Sequence, residues 1–137
     1  MLTFARKDKA METGIKNVIE IIVSDDKTAY SMRSGTLRIF ATPAMIALIE
    51  ETAWRSVEPY LEEGQGTVGT ALDIKHLSPT PLNMKVKCET ELVEIDGRKL
   101  KFNANVYDET GLIGSGTHER FIINVEKFIA KANSKKA

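Results

Sequence analysis

One cysteine, Cys88, and two histidines, His76 and His118, are all the chain offers of thiol and imidazole. A lone cysteine forms no intrachain disulfide, which makes a reducing, cytoplasmic setting the natural expectation. No close cluster of His, Cys and Asp gives a zinc spacing, so no metal is expected. Charge of one sign is lacking as well: 19 Lys plus Arg stand against 19 Asp plus Glu, for a formal net charge of zero. Nucleic-acid and membrane-surface binders carry a sustained basic excess, so neither partner is expected, while near-neutrality lowers the barrier to self-association. The longest nearly continuous apolar run, Ala41 to Ile49, falls far short of the roughly 20 residues that cross a bilayer. The N-terminal stretch MLTFARKDKAMETG is charged from Arg6 onward and holds no apolar core of signal-peptide length, so nothing in it directs export. A Walker lysine loop, HExxH and GxSxG are all missing, which removes common nucleotide, metalloprotease and hydrolase-elbow chemistries.

What is there fits one domain spanning residues 1–137, long enough to bury about two-thirds of its unfolded surface without staples. Residues 15–23, IKNVIEIIV, are β-branched and end at Ser24-Asp25-Asp26, the pattern of a first strand. Lys27 to Arg38 has scattered apolar residues and no period, as a loop or lid would. Phe40-Ala41-Thr42-Pro43 then announces a helix, with Thr42 as N-cap and Pro43 at the first helical position, running to about Tyr60. Its first turns, Ala44 to Ile49, are apolar all round, which predicts a buried helix. After Gly66 the period becomes two: Val68, Thr70, Leu72, Ile74 and His76 share one face of a strand. Ser78 to Asn83 contains Pro79 and Pro81 and cannot lie in a central strand. Met84, Val86, Cys88, Thr90 and Leu92 alternate with charged residues, and Asp96-Gly97 signals a hairpin returning as Leu100, Phe102, Ala104 and Val106. Asp108 to Gly111 turns into a strand over 112–123, and 126–133 reads as a short amphipathic helix. The expected fold is α+β: about five strands, four of them in a meander after the helix, curled around that one long helix. Its open edges invite pairing between copies, so at least a homodimer is expected.

Three side chains break the apolar pattern in a way that suggests chemistry. Glu50 falls within the helical stripe Ile46, Ile49, Ala53, Val57 and Tyr60, whereas Glu51 has an ordinary solvent-side partner one turn on in Arg55. A carboxylate on a buried stripe costs several kcal/mol unless paired or protonated, and such carboxylates serve as bases or nucleophiles. The competing explanation is structural: Glu50 caps a buried arginine or faces water at a subunit interface. His76 ends a strand behind Leu72 and Ile74, and can be a core or rim histidine or the proton partner of a helix carboxylate. Thr42 supplies a hydroxyl at a helix N-terminus, where backbone N–H groups favour developing negative charge. Gly69 and the pair Gly114 and Gly116 mark places where a backbone or ligand comes close, or simple bulges. His118, beside Arg120, is expected at a solvent-facing rim, with contact to a ligand phosphate as the alternative, and Cys88 is expected to pack.

The segments FATPAMIALIEETAWRSVEPYLEEGQGTVGTALDIKHLSPTP and IGSGTHERFIINVEKF resemble the fluoroacetyl-CoA thioesterase type of hotdog-fold thioesterase over residues 40–131. The resemblance implies a hotdog fold, a homodimer or dimer of dimers, an acyl-CoA substrate and no bound cofactor. It places the family's catalytic threonine, glutamate and histidine at Thr42, Glu50 and His76, and a backbone contact with the thioester at Gly69. Phe40 of the FAT motif, His118 and Arg120 complete the candidate substrate contacts. The family's lid aromatics have no counterpart in Ser31 to Ile39, SMRSGTLRI, so a broader short-chain or aryl acyl-CoA is the expected substrate. A hydratase or dehydratase acting on acyl thioesters and a non-catalytic acyl-CoA-binding module are the alternatives.

Overall fold

The structure is a computed structural model that describes residues 10–136; most of the charged stretch from Met1 to Gly14 lies outside the described residues. Strand β1 (Lys16–Ile22) is followed by a single 3-10 turn (Asp25–Lys27) and the short helix α1 (Ala29–Met32). The long helix α2 (Thr42–Val57) ends in a second 3-10 turn, Glu58–Tyr60. Strands β2 (Gln65–His76), β3 (Lys85–Asp96), β4 (Lys99–Asp108) and β5 (Gly111–Asn124) lead to helix α3 (Val125–Asn133). Among the described residues no helix is long and apolar enough to cross a membrane.

All five strands form one antiparallel sheet in the order β1-β3-β4-β5-β2. The expected four-strand meander is therefore shortened to β3-β4-β5, and β2 pairs with β5 at the far edge instead of with β3. Pro79 and Pro81 explain the difference, because their segment carries the chain from the β2 edge across to the interior strand β3 and cannot close a tight hairpin. Along it, Thr80 accepts from Phe40 N–H and Asn83 N–H donates to Val23 O. The β3-β4 register, Asp96↔Lys99, puts the two turn residues at Gly97 and Arg98, one position later than the dipeptide Asp96-Gly97 suggests. Gly97 has φ +61°, the left-handed conformation such a turn requires. Gly64-Gln65-Gly66-Thr67-Val68-Gly69 carries a GxGxxG spacing, but it opens a strand and not a helix, which removes the dinucleotide-loop geometry.

The alternating residues of β3 and β4 face the helix as the period demands: Val86, Cys88, Thr90, Leu92, Leu100, Phe102, Ala104 and Val106 are all buried. Against them α2 lays Ala44, Met45, Leu48, Ile49, Thr52, Ala53, Ser56 and Val57. The helix is buried on this one face only; Ala47 is exposed and Ile46 half-buried, because the sheet curls around part of its circumference. Full burial of each large aliphatic side chain stabilises by about 1.5–3 kcal/mol, so this single stripe suffices to hold α2 in the sheet. Lid expectations also change: 27–38 contains α1, whose N-cap Thr28 accepts from Ser31 N–H, and Arg38 pairs with Asp25.

Candidate active site

Helix α2 begins one residue earlier than its sequence signal suggests. Ala41 is the N-cap and makes no side-chain cap bond, while Thr42 and Pro43 are already helical. Freed from capping, the Thr42 hydroxyl lies 2.7 Å from His76 Nδ1 at the end of β2. With Nδ1 engaged there, His76 Nε2 is left buried without a hydrogen-bond partner. Burial pushes the imidazole below its ordinary value of 6.5, against a smaller opposing pull from the Ser78 backbone, so the ring is neutral at pH 7. Phe40 packs edge-on against it, with ring centroids 6.4 Å apart. These groups open onto a cleft of about 340 Å³ whose wall includes Ala29, Ser34, Ile39 and Leu77. A neutral imidazole fixed through one nitrogen and holding a lone pair or proton at the other is equipped to pass protons.

A second polar cluster lies further along the same helix. Glu50 Oε2 is 3.7 Å from Arg120 Nη1, with the carboxylate side chain 38% exposed and the arginine side chain 8%. The guanidinium donates through Nε to Thr67 Oγ1 at 2.9 Å and through Nη2 to Thr67 O at 3.0 Å. Its Nη1 is 3.2 Å from His118 Nε2, and His118 Nδ1 is 2.8 Å from the Ala71 carbonyl. Gly69 stands against all of this. A Cβ at that position would lie 2.6 Å from Glu50 Oε2 and 3.3 Å from both Arg120 Nη1 and His118 Cε1. Only hydrogen at Cα lets the carboxylate approach the strand so closely.

Several expectations are corrected here. His118 is fully buried and Arg120 is 6% exposed, so neither is a rim residue facing solvent. The ring of His118 stacks on Phe102, and desolvation pushes it below its ordinary value with Arg120 adding to the effect. Thr42 touches His76 and not Glu50. Thr42 and Glu50 are eight residues apart on one helix, about 12 Å along its axis, so one chain does not bring the three sequence-nominated groups together. Glu50 does pair with a buried arginine, the structural alternative raised for it, and Glu51 pairs with Arg55 at 2.9 Å as expected. Cys88 is packing: burial raises its thiol to about 11. Sequence reasoning missed Thr67 and the Ala71 carbonyl. It also missed Arg120 as the counterion of Glu50, although His118 and Arg120 at i and i+2 share the inward face of a strand.

An antiparallel sheet wrapped on one long helix is the hotdog architecture. The family model described as fluoroacetyl-CoA-specific thioesterase matches residues 23–126. The fluoroacetyl-CoA thioesterase of Streptantibioticus cattleyicolor is 42% identical over 97 residues, 71% of this chain and 70% of that protein. A solved structure of the fluoroacetyl-CoA thioesterase FlK superimposes with a TM-score of 0.89 at 34% identity, covering 94% of this chain and all of that one. A Thermus thermophilus protein described as a thioesterase superfamily member matches with a TM-score of 0.85 at 26% identity, over 93% and 95% of the two chains. The chain belongs to the fluoroacetyl-CoA-specific thioesterase family, and it is an acyl-CoA thioesterase.

Proposed function

We propose that the chain hydrolyses short-chain or aryl acyl-CoA thioesters at a site completed by a second copy, with Glu50 from one copy and Thr42 and His76 from the other. The observation that carries this reading is the split of the polar groups along α2, together with an open β2 edge beside both halves. Residues Gly69 to Asp73 of β2 are exposed on both strand faces, and Leu72 is 40% exposed. A strand covered by its own helix would hide every second residue, so this stretch calls for a partner. Two β2 edges paired antiparallel about Leu72 and Asp73 would set His76 of one copy opposite Gly69 of the other, hence beside Glu50.

In that site Glu50 takes the proton of a water attacking the thioester carbonyl, or itself attacks the carbonyl to give an anhydride that water then cleaves, releasing the acid and restoring the carboxylate. His76, oriented by Thr42, gives a proton to the departing CoA sulfur and regains one that the water has released to Glu50, and the Gly69 backbone stabilises the oxyanion. The relatives are named for fluoroacetyl-CoA; in this chain the segment Ser31 to Ile39, where the resemblance expects a lid, carries no aromatic side chain. Ser34 and Ile39 line the cleft, and Tyr30, just before that segment, lies exposed beneath the Arg38 guanidinium 4.4 Å above its ring. A wall without a lid aromatic supports a broader acyl range than fluoroacetyl.

The test is release of free CoA thiol from acetyl-, short-chain, aryl- and fluoroacetyl-CoA by wild type and Glu50→Gln. Expected are turnover of several acyl groups and its loss, by about a hundredfold or more, in the variant. The Glu50–Arg120 ion pair is also what a non-catalytic acyl-CoA-binding module would show. Family membership weighs against that and against a hydratase, and a folded protein that releases no thiol would restore both.

A further inference from the structure

We propose that His118 is a positioning residue for the reaction, holding Arg120 so that the guanidinium meets Glu50 through one loose contact; this rests on Glu50 being the catalytic carboxylate. The hydrogen-bond directions are forced by the partners. A carbonyl only accepts and a guanidinium only donates, so Nδ1 of His118 carries the proton given to Ala71 O and Nε2 holds the lone pair facing Arg120 Nη1. The ring is fully buried and stacked on Phe102, so this tautomer has no water to exchange partners with.

The consequence lies in how the arginine's donors are shared out. Nε and Nη2 go to Thr67 on β2, and one Nη1 hydrogen goes to His118 on β5. One hydrogen is left on Nη1 and one on Nη2, and Glu50 meets only Nη1, in a single approach at 3.7 Å, not the two-pronged fork that would lock a carboxylate in place. Glu50 thus has a cation beside it and an oxygen still free for a proton or a carbonyl carbon. Without an acceptor at the position of His118 Nε2, nothing holds Nη1 toward β5 and the guanidinium, with a further unmatched donor, can turn toward Glu50. Ala71 adds a second link, since it follows the register shift between Gly69 and Ala71 in β2. His118 thereby ties the backbone of the open strand to the charge that faces Glu50.

The test compares His118→Asn, which can reach Ala71 but not Arg120, with His118→Gln, whose amide oxygen can replace Nε2. Expected is a loss of about tenfold in kcat with KM unchanged for His118→Asn, recovery of most of it in His118→Gln, and equal thermal midpoints. Wild-type kcat in His118→Asn, or equal losses in both variants, overturns the proposal. Should neither variant fold, Thr67→Val removes the acceptor of Arg120 Nε: a kcat lowered at unchanged KM supports the assignment, and wild-type kcat overturns it. Glu50→Gln is run alongside, because undiminished turnover there defeats the reading of Glu50 itself, whereas a dead Glu50→Gln beside an unaffected His118→Asn defeats only the role of His118.

Discussion

The two histidines differ in what surrounds them, yet both are held neutral by burial, and this couples the site to stability. His76 and His118 each have a folded pKa below the ordinary 6.5. The unfolded chain therefore binds more protons than the native one as pH falls through 6.5. Their contribution to stability is intact above that value and is lost below it. A thermal midpoint flat between pH 7 and 8 and falling below about 6.5 is expected, with a smaller fall in His118→Gln; a midpoint indifferent to pH down to 5 would contradict it. Glu50, Thr42 and His76 were legible as single residues because each interrupts an apolar pattern. The link from Glu50 to Arg120 was not, since 70 positions separate them and only the folded sheet makes them neighbours.

At the scale of elements, the start of α2 is the informative place. A threonine before a proline carries the signature of an N-cap, but the N-cap is Ala41, and the hydroxyl serves His76 instead. Losing a true N-cap costs about 1 kcal/mol. Thr42→Ala is accordingly expected to lower kcat while moving the thermal midpoint by less than a cap deletion would, and a large loss of stability with normal turnover would reverse that assignment. Strands β3 and β4 could be read residue by residue, because a sheet with one buried face writes its period of two into the sequence. Strand order could not. The pairing of β2 with β5 joins Gln65 to Asn124, a contact with no local signature, and the chain passes from β2 to β3 without a hairpin.

For the whole molecule the decisive property is that Thr42, with its partner His76, and Glu50 stand at different levels of one helix. If two copies share the chemistry, subunits that are dead for different reasons can rescue each other. A Glu50→Gln chain mixed and reassembled with a His76→Ala chain yields mixed dimers in which one site carries both changes and the other carries neither. Random pairing makes half the dimers mixed, so about a quarter of wild-type turnover is expected from two inactive preparations. No recovery after demonstrated exchange would confine the chemistry to a single chain.

The eight-residue step from Thr42 to Glu50 has one more consequence, for the protein at the moment it is made. If the site is shared between copies as proposed, a newly synthesised chain that has folded but not yet found its twin holds its hydroxyl–imidazole pair and its carboxylate too far apart to cooperate, and leaves the thioester pool untouched. On that reading hydrolysis begins only when enough chains have accumulated to pair, and the spacing along a single helix would make activity rise faster than the amount of protein.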